Sequence, residues 1–542
     1  MQNNKINLGG ILRYISISIA ILLAFLLICA FVLPLIFSII PIFSQNETIN
    51  FSSSNIYSFK YIFNALVFTI KQAFFSTVIA MVIGVPMGFF VSHREFPLKK
   101  FFVSLSAIPF CVPTLLVALA YVQFFGMNGS LNQFIKSVFN LNTTPITFLY
   151  SFTGIIIAQG FYNFPLVMKT CSDVWSKIDS LQENAALILG ANPIRRFFSV
   201  TIHQISTAIS SSAITVFLYC FFSFIIVLLF GAIGCTTIEV EIYQSVKNTL
   251  NYKMASVLGI IETFTATLLC LIVLFLEKKS SKNRNSCNEF ICVKIKKLSE
   301  KVFLSILITL IFIFFLMPFL SLIFSSFAKF GDVLSNKNLY LSIKDSIITA
   351  LCTATLTVIF ALTCSLFFRL NKKSRNSILI KILPLVPLTI SSVITGYGII
   401  IFSQLFNLEA NFFTLSIFQS VVAFPFAFRL ISNNLDKISL QIDDVCKIFS
   451  EDKSKSIFWV YIPNVKESIF SAFAFSFAIS CGDATLPLIL SIQNFTPLSL
   501  YTFRLASSYQ FNSSCVCGII LMIVGSSCFI LKGFYQFLRK FL

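Results

Sequence analysis

The sequence predicts an all-α, polytopic membrane protein with about twelve transmembrane helices, arranged as two parallel six-helix repeats. Three observations predict it. Of 542 residues, 57% are hydrophobic and 11% charged, with a mean hydropathy of +0.89, which is more apolar side chain than a soluble globule buries. Basic residues gather in short segments between apolar runs. Two polar islands recur 260 residues apart.

A helix needs roughly 20 apolar residues to cross the hydrocarbon of a bilayer. Such runs centre near residues 28, 78, 113, 158, 219 and 265, and again near 315, 357, 393, 423, 481 and 526. The first, from about Tyr14 to Phe43, follows Lys5 and Arg13. It is too long for a signal-peptide core and lacks a small-residue cleavage site, so it reads as a retained helix. With the N-terminus in the cytoplasm, the inside segments hold Arg94, Lys99 and Lys100, then Arg195 and Arg196, the group from Lys278 to Lys297, Arg369 to Arg375, Lys453 and Lys455, and finally Arg539 and Lys540. Most of the basic residues then lie inside, as do both termini. The formal net charge of +19 is thus a positive-inside pattern and not a nucleic-acid face.

The stretch "EKKSSKNRNSCNEFICVKIKKLSE", Glu277 to Glu300, is the longest basic and polar insertion. It reads as a cytoplasmic linker, 277–302, between a first half, 1–276, and a second half, 303–542. The 15 cysteines fall mostly inside apolar spans, where Cys behaves as a small hydrophobe. The close pairs Cys287/Cys292 and Cys515/Cys517 lack the second pair a zinc site needs, and His93 and His203 sit far apart on loops, so no metal site is expected.

The halves are related. An offset of 260 sets Pro165 of "FYNFPLVMK" on Pro425 of "SVVAFPFAFRL". Without a gap it then sets Asn184-Ala185-Ala186 on Asp444-Val445-Cys446, Gly190 on Ser450, and Val200 to His203 on Val460 to Pro463. Earlier spans correspond at an offset of about 281, Asn64 to Phe89 resembling Asp345 to Phe368, with the difference taken up by the loop "GMNGSLNQFIKSVFNLNTTP". The islands, 183–205 and 443–465, read as helix-loop-helix knobs at the cytoplasmic face, Gly190 allowing a tight turn and Pro193 and Pro463 marking the following helices. Ordinary amphipathic connectors are the alternative; recurrence in a duplicated chain favours docking.

The island spacing resembles the signature of integral permease subunits of ATP-binding-cassette importers: Glu-Ala-Ala, three residues, Gly, nine residues, then Ile-x-Leu-Pro. Here the matching positions are Asn184, Ala185, Ala186, Gly190 and Ile202, and Asp444, Ser450, Ile462 and Pro463. Asn184 replaces the acid and His203 the Pro in the first copy, and Ser450 replaces the Gly in the second. The stretches "GIIIAQGFYNFPLVMKT", "TTIEVEIYQSV", "FSFAISCGDATLPLIL" and "PLSLYTFRLASSY" look like fused permeases for thiamine, with ferric-iron permeases as relatives. The resemblance implies a type I importer permease fold in a bacterial cytoplasmic membrane. It implies two copies of a cytosolic ATPase, which dock on the islands, and a periplasmic or lipid-anchored substrate-binding protein. The chain has no Gly-rich loop ending in Gly-Lys-Ser/Thr, so ATP and Mg are expected in the partner, with no cofactor or catalytic residue here.

A charge inside a span costs roughly 2.5–3.5 kcal/mol on insertion scales, so each should face the bundle interior or reach an interface. Asp483 in "SCGDATLP" either bonds backbone at a helix break or lowers the barrier for a cation such as thiamine or iron. Glu262 in "GIIETFTA" either pairs with Lys71 or another polar group or lines the path, and Lys71 in "FTIKQAFF" is expected to snorkel. Asn163 and Pro165 make a polar break that lines the passage or only bends a helix. Asn163, Pro165, Glu262 and Asp483 are therefore the candidates for the translocation path. An ion-coupled secondary transporter would instead need paired intramembrane acids in inverted halves, and a membrane-embedded enzyme would need clustered His or acids at one rim.

Overall fold

The computed structural model describes residues 30–43, 59–105, 112–176, 185–232, 234–280, 293–295, 297–370, 387, 389–439, 441–442, 445 and 457–541. Cys287 and Cys292 lie outside them. In the first half the helices are α1 (Ala30–Phe43), α2 (Phe59–His93), α3 (Lys99–Leu105), α4 (Thr114–Phe125), α5 (Ser130–Phe139), α6 (Phe152–Trp175), α7 (Ile202–Phe221), α8 (Ile225–Phe230), α9 (Ile238–Lys247) and α10 (Tyr252–Ser280). The second half has α11 (Leu298–Phe327), α12 (Lys337–Leu370), α13 (Ser392–Phe406), α14 (Phe412–Leu435), α15 (Ile462–Gly482), α16 (Thr485–Leu490), α17 (Leu498–Ser507) and α18 (Phe511–Phe541). A two-residue parallel bridge pairs β1 (Arg94–Glu95) with β2 (Val293–Lys294).

The 260-residue register is written into the helix ends. The pairs α6/α14, α8/α16 and α9/α17 are offset by 260 at both ends, and α7 and α15 begin 260 apart. Each of the last two follows a π-helical turn, Phe197–Thr201 and Ile457–Tyr461, again 260 apart. For α2 and α12 the expected offset of 281 needs correction. The hydroxyls of Thr69 and Ser346 accept from the first amides of α9 and α17, Ile238 and Leu498, which fixes the offset at 277. The difference is about one helical turn, a slip that keeps the same residues on the same face and is invisible to apolar periodicity.

Eight helices among the described residues are long and apolar enough to cross a membrane, and α1 and α13 are shorter apolar helices. The other two positions expected to span are α6 and α15, of 24 and 21 residues. Their polar residues include Gln159, Asn163 and Ser480, all buried by neighbouring protein, where polar groups are tolerated. The run centred near 219 is interrupted at 222–224, and the run centred near 481 at 483–484.

The chain forms two compact units that do not follow sequence order. One comprises residues 1–44, 336–501 and 520–542; the other comprises 45–335 and 502–519. In the second of these, α2 and α6 pack backbone to backbone. A Cβ on Gly84 would lie 2.6 Å from Val167 Cβ, and one on Gly160 would lie 2.6 Å from Ile79 Cγ2. Gly84 and Gly88 are four residues apart on one face of α2, the small-residue spacing that brings membrane helices close. The segments that flank residues 281–292 are described. The helix α10 runs to Ser280, β2 pairs with β1, and Arg94 forms a bidentate pair with Glu300 at 2.9 and 3.2 Å.

Gly160→Leu should force α2 from α6, since the space it needs is filled by Ile79 and the Ser76 carbonyl. We expect a loss of roughly 1–3 kcal/mol, read as a lower thermal unfolding midpoint in detergent, whereas Ile157→Leu, at a half-buried position on the same helix, should cost less.

Candidate coupling islands and helix-break network

In the first island residues 185–188 form a helical turn. It is closed by a left-handed Gly190 (φ +76°), whose amide donates to the Leu187 carbonyl while that of Ala191 donates to the Ala186 carbonyl. This is the Schellman arrangement that ends helices on glycine. No atom lies within 4 Å of a Cβ built on Gly190, so the backbone angle alone demands glycine there. The turn leaves Leu187, Ile188 and Leu189 57, 83 and 86% exposed, three aliphatic side chains in a row on an otherwise polar segment. Ala185 is exposed and Ala186 half-buried. The chain then passes through Pro193–Arg196 and the π-helical turn into α7, where Thr201 and Ile205 are buried and Ile202 half-buried.

Asn184, Asp444 and Ser450 lie outside the described residues. Of the second island, Val445 is exposed, Trp459 in the π-helical turn is 82% exposed, Tyr461 is buried, Ile462 half-buried, and Pro463 exposed in the first turn of α15. The chain approaching this island is held by Arg369 at the end of α12. Its guanidinium donates to the Ile438 carbonyl at 2.8 Å and lies 3.9 Å from Asp436, with the side chain almost wholly buried. Sequence reasoning took Arg369 as one more inside charge; only burial distinguishes it.

Each half also has a braced break between two short-circuited helices. In the first, α7 stops at Phe221 and α8 starts at Ile225. Gln72 Nε2 donates to the Cys220 carbonyl at 2.6 Å, Gln159 Nε2 donates to Ser223 Oγ at 2.8 Å, and Ser76 Oγ donates to Gln159 Oε1 at 3.0 Å. In the second, α15 ends at Gly482 and α16 begins at Thr485. Gln419 Nε2 donates to Asp483 Oδ2 at 3.1 Å, and Gln419 Oε1 accepts from Ser480 Oγ at 2.6 Å and from Thr353 Oγ1 at 3.4 Å. Asp483 Oδ1 accepts from the Thr485 amide at 2.9 Å, and its carbonyl from Ser499 Oγ. Gln159 matches Gln419 and Ser223 matches Asp483 in the 260 register, and Ser76 matches Thr353 in the 277 register.

The other path candidates separate. Asn163, on α6, joins the first network's edge, its Nδ2 donating to the Gln159 carbonyl at 3.0 Å and approaching Cys220 Sγ at 3.5 Å. Pro165 is buried two residues on, inside the same helix. Glu262 is buried on α10, while Lys71 on α2 is exposed. Gln159, Gln419 and Ser223 were not among the candidates, which rested on charges and the Asn163–Pro165 step; the offset that aligned the two prolines carries them.

A helical membrane chain with a glycine-closed turn outside its spans and hydrogen-bonded breaks within them has the form of a membrane permease. Residues 80–283 match the family described as binding-protein-dependent transport system inner membrane component. The chain is 31% identical over 197 residues to the putative 2-aminoethylphosphonate transport system permease protein of Salmonella typhi, covering 36% of this chain and 68% of that one. Thiamine transport system permease proteins match over much more: that of Haemophilus influenzae at 24% identity over 86% of this chain and 87% of its own, and that of Escherichia coli at 22% over 87% and 88%. The chain belongs to the binding-protein-dependent transport system inner membrane components, and is the permease of an ATP-binding-cassette importer of the fused, two-half type.

Two expectations follow from the geometry. Gly190→Val should disfavour the left-handed turn by roughly 1–2 kcal/mol and Gly190→Asn by less, read as hydrogen exchange at Gly190 and Ala191 that is about tenfold faster in the valine variant. Gln419→Leu should strip a partner from Asp483, Ser480 and Thr353 together and lower the unfolding midpoint, at roughly 0.6–1.7 kcal/mol per lost bond; an unchanged midpoint would show that the break needs no brace.

Proposed function

We propose that the chain imports thiamine, or a phosphorylated thiamine, across the cytoplasmic membrane. Two copies of a cytosolic ATPase hydrolyse ATP with Mg, and a periplasmic or lipid-anchored binding protein hands over the substrate. The observation that carries the substrate is the extent of likeness: the thiamine permeases align over 86 and 87% of this chain, against 36% for the phosphonate permease. A transported molecule is recognised along a path built from both halves, so a match through both bears on it more than a closer match over 197 residues.

In this reading both termini and both islands face the cytoplasm. The ridge of Leu187, Ile188 and Leu189 seats in one ATPase, with Asn184 to Ile202 as the first coupling segment and Asp444 to Pro463 as the second. Closure of the ATPases draws the two segments together, and the π-helical turns pass the push into α7 and α15, which begin at the next residue. The breaks at 222–224 and 483–484 let the outer parts of those helices turn separately. Asp483 lies at the second break, where its carboxylate lowers the barrier for a cation. The permease itself carries out no hydrolysis.

Reconstitution of the chain with its ATPase and binding protein in proteoliposomes tests this. Thiamine-loaded binding protein should stimulate ATPase activity and uptake, while ferric iron and 2-aminoethylphosphonate should not; stimulation by either of those alone replaces the substrate assignment. Replacing Leu187, Ile188 and Leu189 together by Asp should abolish co-purification of the ATPase without changing the thermal midpoint of the permease. Retained co-purification would remove the docking role of the first island.

A further inference from the structure

A cleft of about 880 Å³ opens beside the N-terminal turns of α11, within the size range of small-molecule sites, roughly 300–1,000 Å³. Its rim carries Lys99, Lys100, Lys294 and Lys301 against a single acid, Glu95. Among the described residues none of Lys100, Lys294 and Lys301 is in an ion pair. The walls are apolar: Phe96 and Pro97 on one side, Leu304 and Ile308 on the other, with Ile295 between. Lys301, Leu304, Ser305, Ile308 and Thr309 occupy one face of α11, at i, i+3, i+4, i+7 and i+8. Val302, Phe303 and Ile306, around the helix from that face, are each about half exposed on a span long enough to cross the membrane. Leu98, at φ +70° and 61% exposed, projects a further aliphatic side chain next to Lys99.

Two independent features hold the cleft open. The β1–β2 bridge fixes Lys294 beside Glu95, and the Arg94–Glu300 pair ties the loop of Lys99 to the first turn of α11. That pair also neutralises Glu300 beside the cleft, which leaves Glu95 as the acid of the lining against Lys100, Lys294 and Lys301. Cations at the end of a lipid-facing helix, above an apolar wall that continues into the span, match a molecule with an anionic phosphate head and an acyl tail.

The geometry points to a binding site for one anionic phospholipid: its phosphate among Lys99, Lys100, Lys294 and Lys301, and an acyl chain along Leu304 and Ile308. This site is separate from the coupling islands and from the helix breaks. Its occupant holds the end of the linker, through Lys294, to the loop after α2.

The full chain, purified in neutral detergent, tests this by native mass spectrometry with added phosphatidylglycerol or phosphatidylcholine, each with and without excess inorganic phosphate. Phosphatidylglycerol should be retained and phosphatidylcholine lost, and inorganic phosphate should not displace the lipid. Changing all four lysines to Gln should weaken retention at least about tenfold, while Lys329→Gln with Lys337→Gln, on exposed positions elsewhere, should leave it unchanged. Should the fourfold variant fail to fold, Ser305→Trp, which fills the cleft without altering charge, should displace the lipid. Equal retention in the cleft variants, equal loss in the control variant, or displacement by inorganic phosphate would each overturn the assignment.

Discussion

Inside a bilayer no water is at hand for a backbone amide or carbonyl, so a helix can be interrupted there only where protein supplies the missing partners. Each half of this chain interrupts a helix just after the segment that leads from its island. Side chains from two other helices reach each break: Gln72 and Gln159 in the first half, Gln419 and Ser499 in the second. A glutamine reaches such a break only if its own helix lies close. In the first half the two helices that carry the glutamines, α2 and α6, are themselves drawn close at Gly84, Gly88 and Gly160, where a Cβ would meet the facing helix. The second half has Ala361, Ser365 and Ser420 at the corresponding places, again small. Small residues, amides and breaks are thus one construction: the first permits the second to satisfy the third.

The islands follow a different rule. In the first, three consecutive aliphatic side chains stand exposed on a turn closed by the left-handed Gly190. The turn is rigid at one end and leads at the other into a π-helical segment, a wider and less stable wind of the chain that recurs at the same register in the second half. The island and α7 are thus joined through a π-helical segment.

Much of this was legible in the residues. Hydropathy and basic loops suffice for the class of fold, because the cost of leaving charge in lipid is large compared with any local preference. The 260 register was legible because Pro165 and Pro425 are rare enough in a helix to be informative, and it carries Gln159 and Gln419 as well. The offset of α2 from α12 was not, since 277 and 281 place the same apolar face against the same neighbours. Nor was the break at 222–224, which lies in the stretch "CFFSFIIVLL", where Ser223 is the one polar residue and no Gly or Pro marks it. Its counterpart at "CGDA" was legible because glycine and an acid do mark it. Arg369 looked like a surface charge and is a buried brace, a distinction that depends on the path of residues 436–438 and not on the sequence around the arginine.

The two breaks share their brace and differ in one atom group. Where Asp483 accepts from Gln419, Ser223 accepts from Gln159 at a similar distance, 3.1 against 2.8 Å. A neutral hydroxyl is therefore enough to hold the break. The second task of Asp483, accepting from the Thr485 amide at the start of α16, is one that Ser or Asn performs as well. Neither hydrogen bond explains why an acid stands at this position in one half and a hydroxyl in the other. What separates the halves at this position is an acid against a hydroxyl, and a fused chain, unlike a symmetric pair of identical subunits, is free to let its two halves differ there.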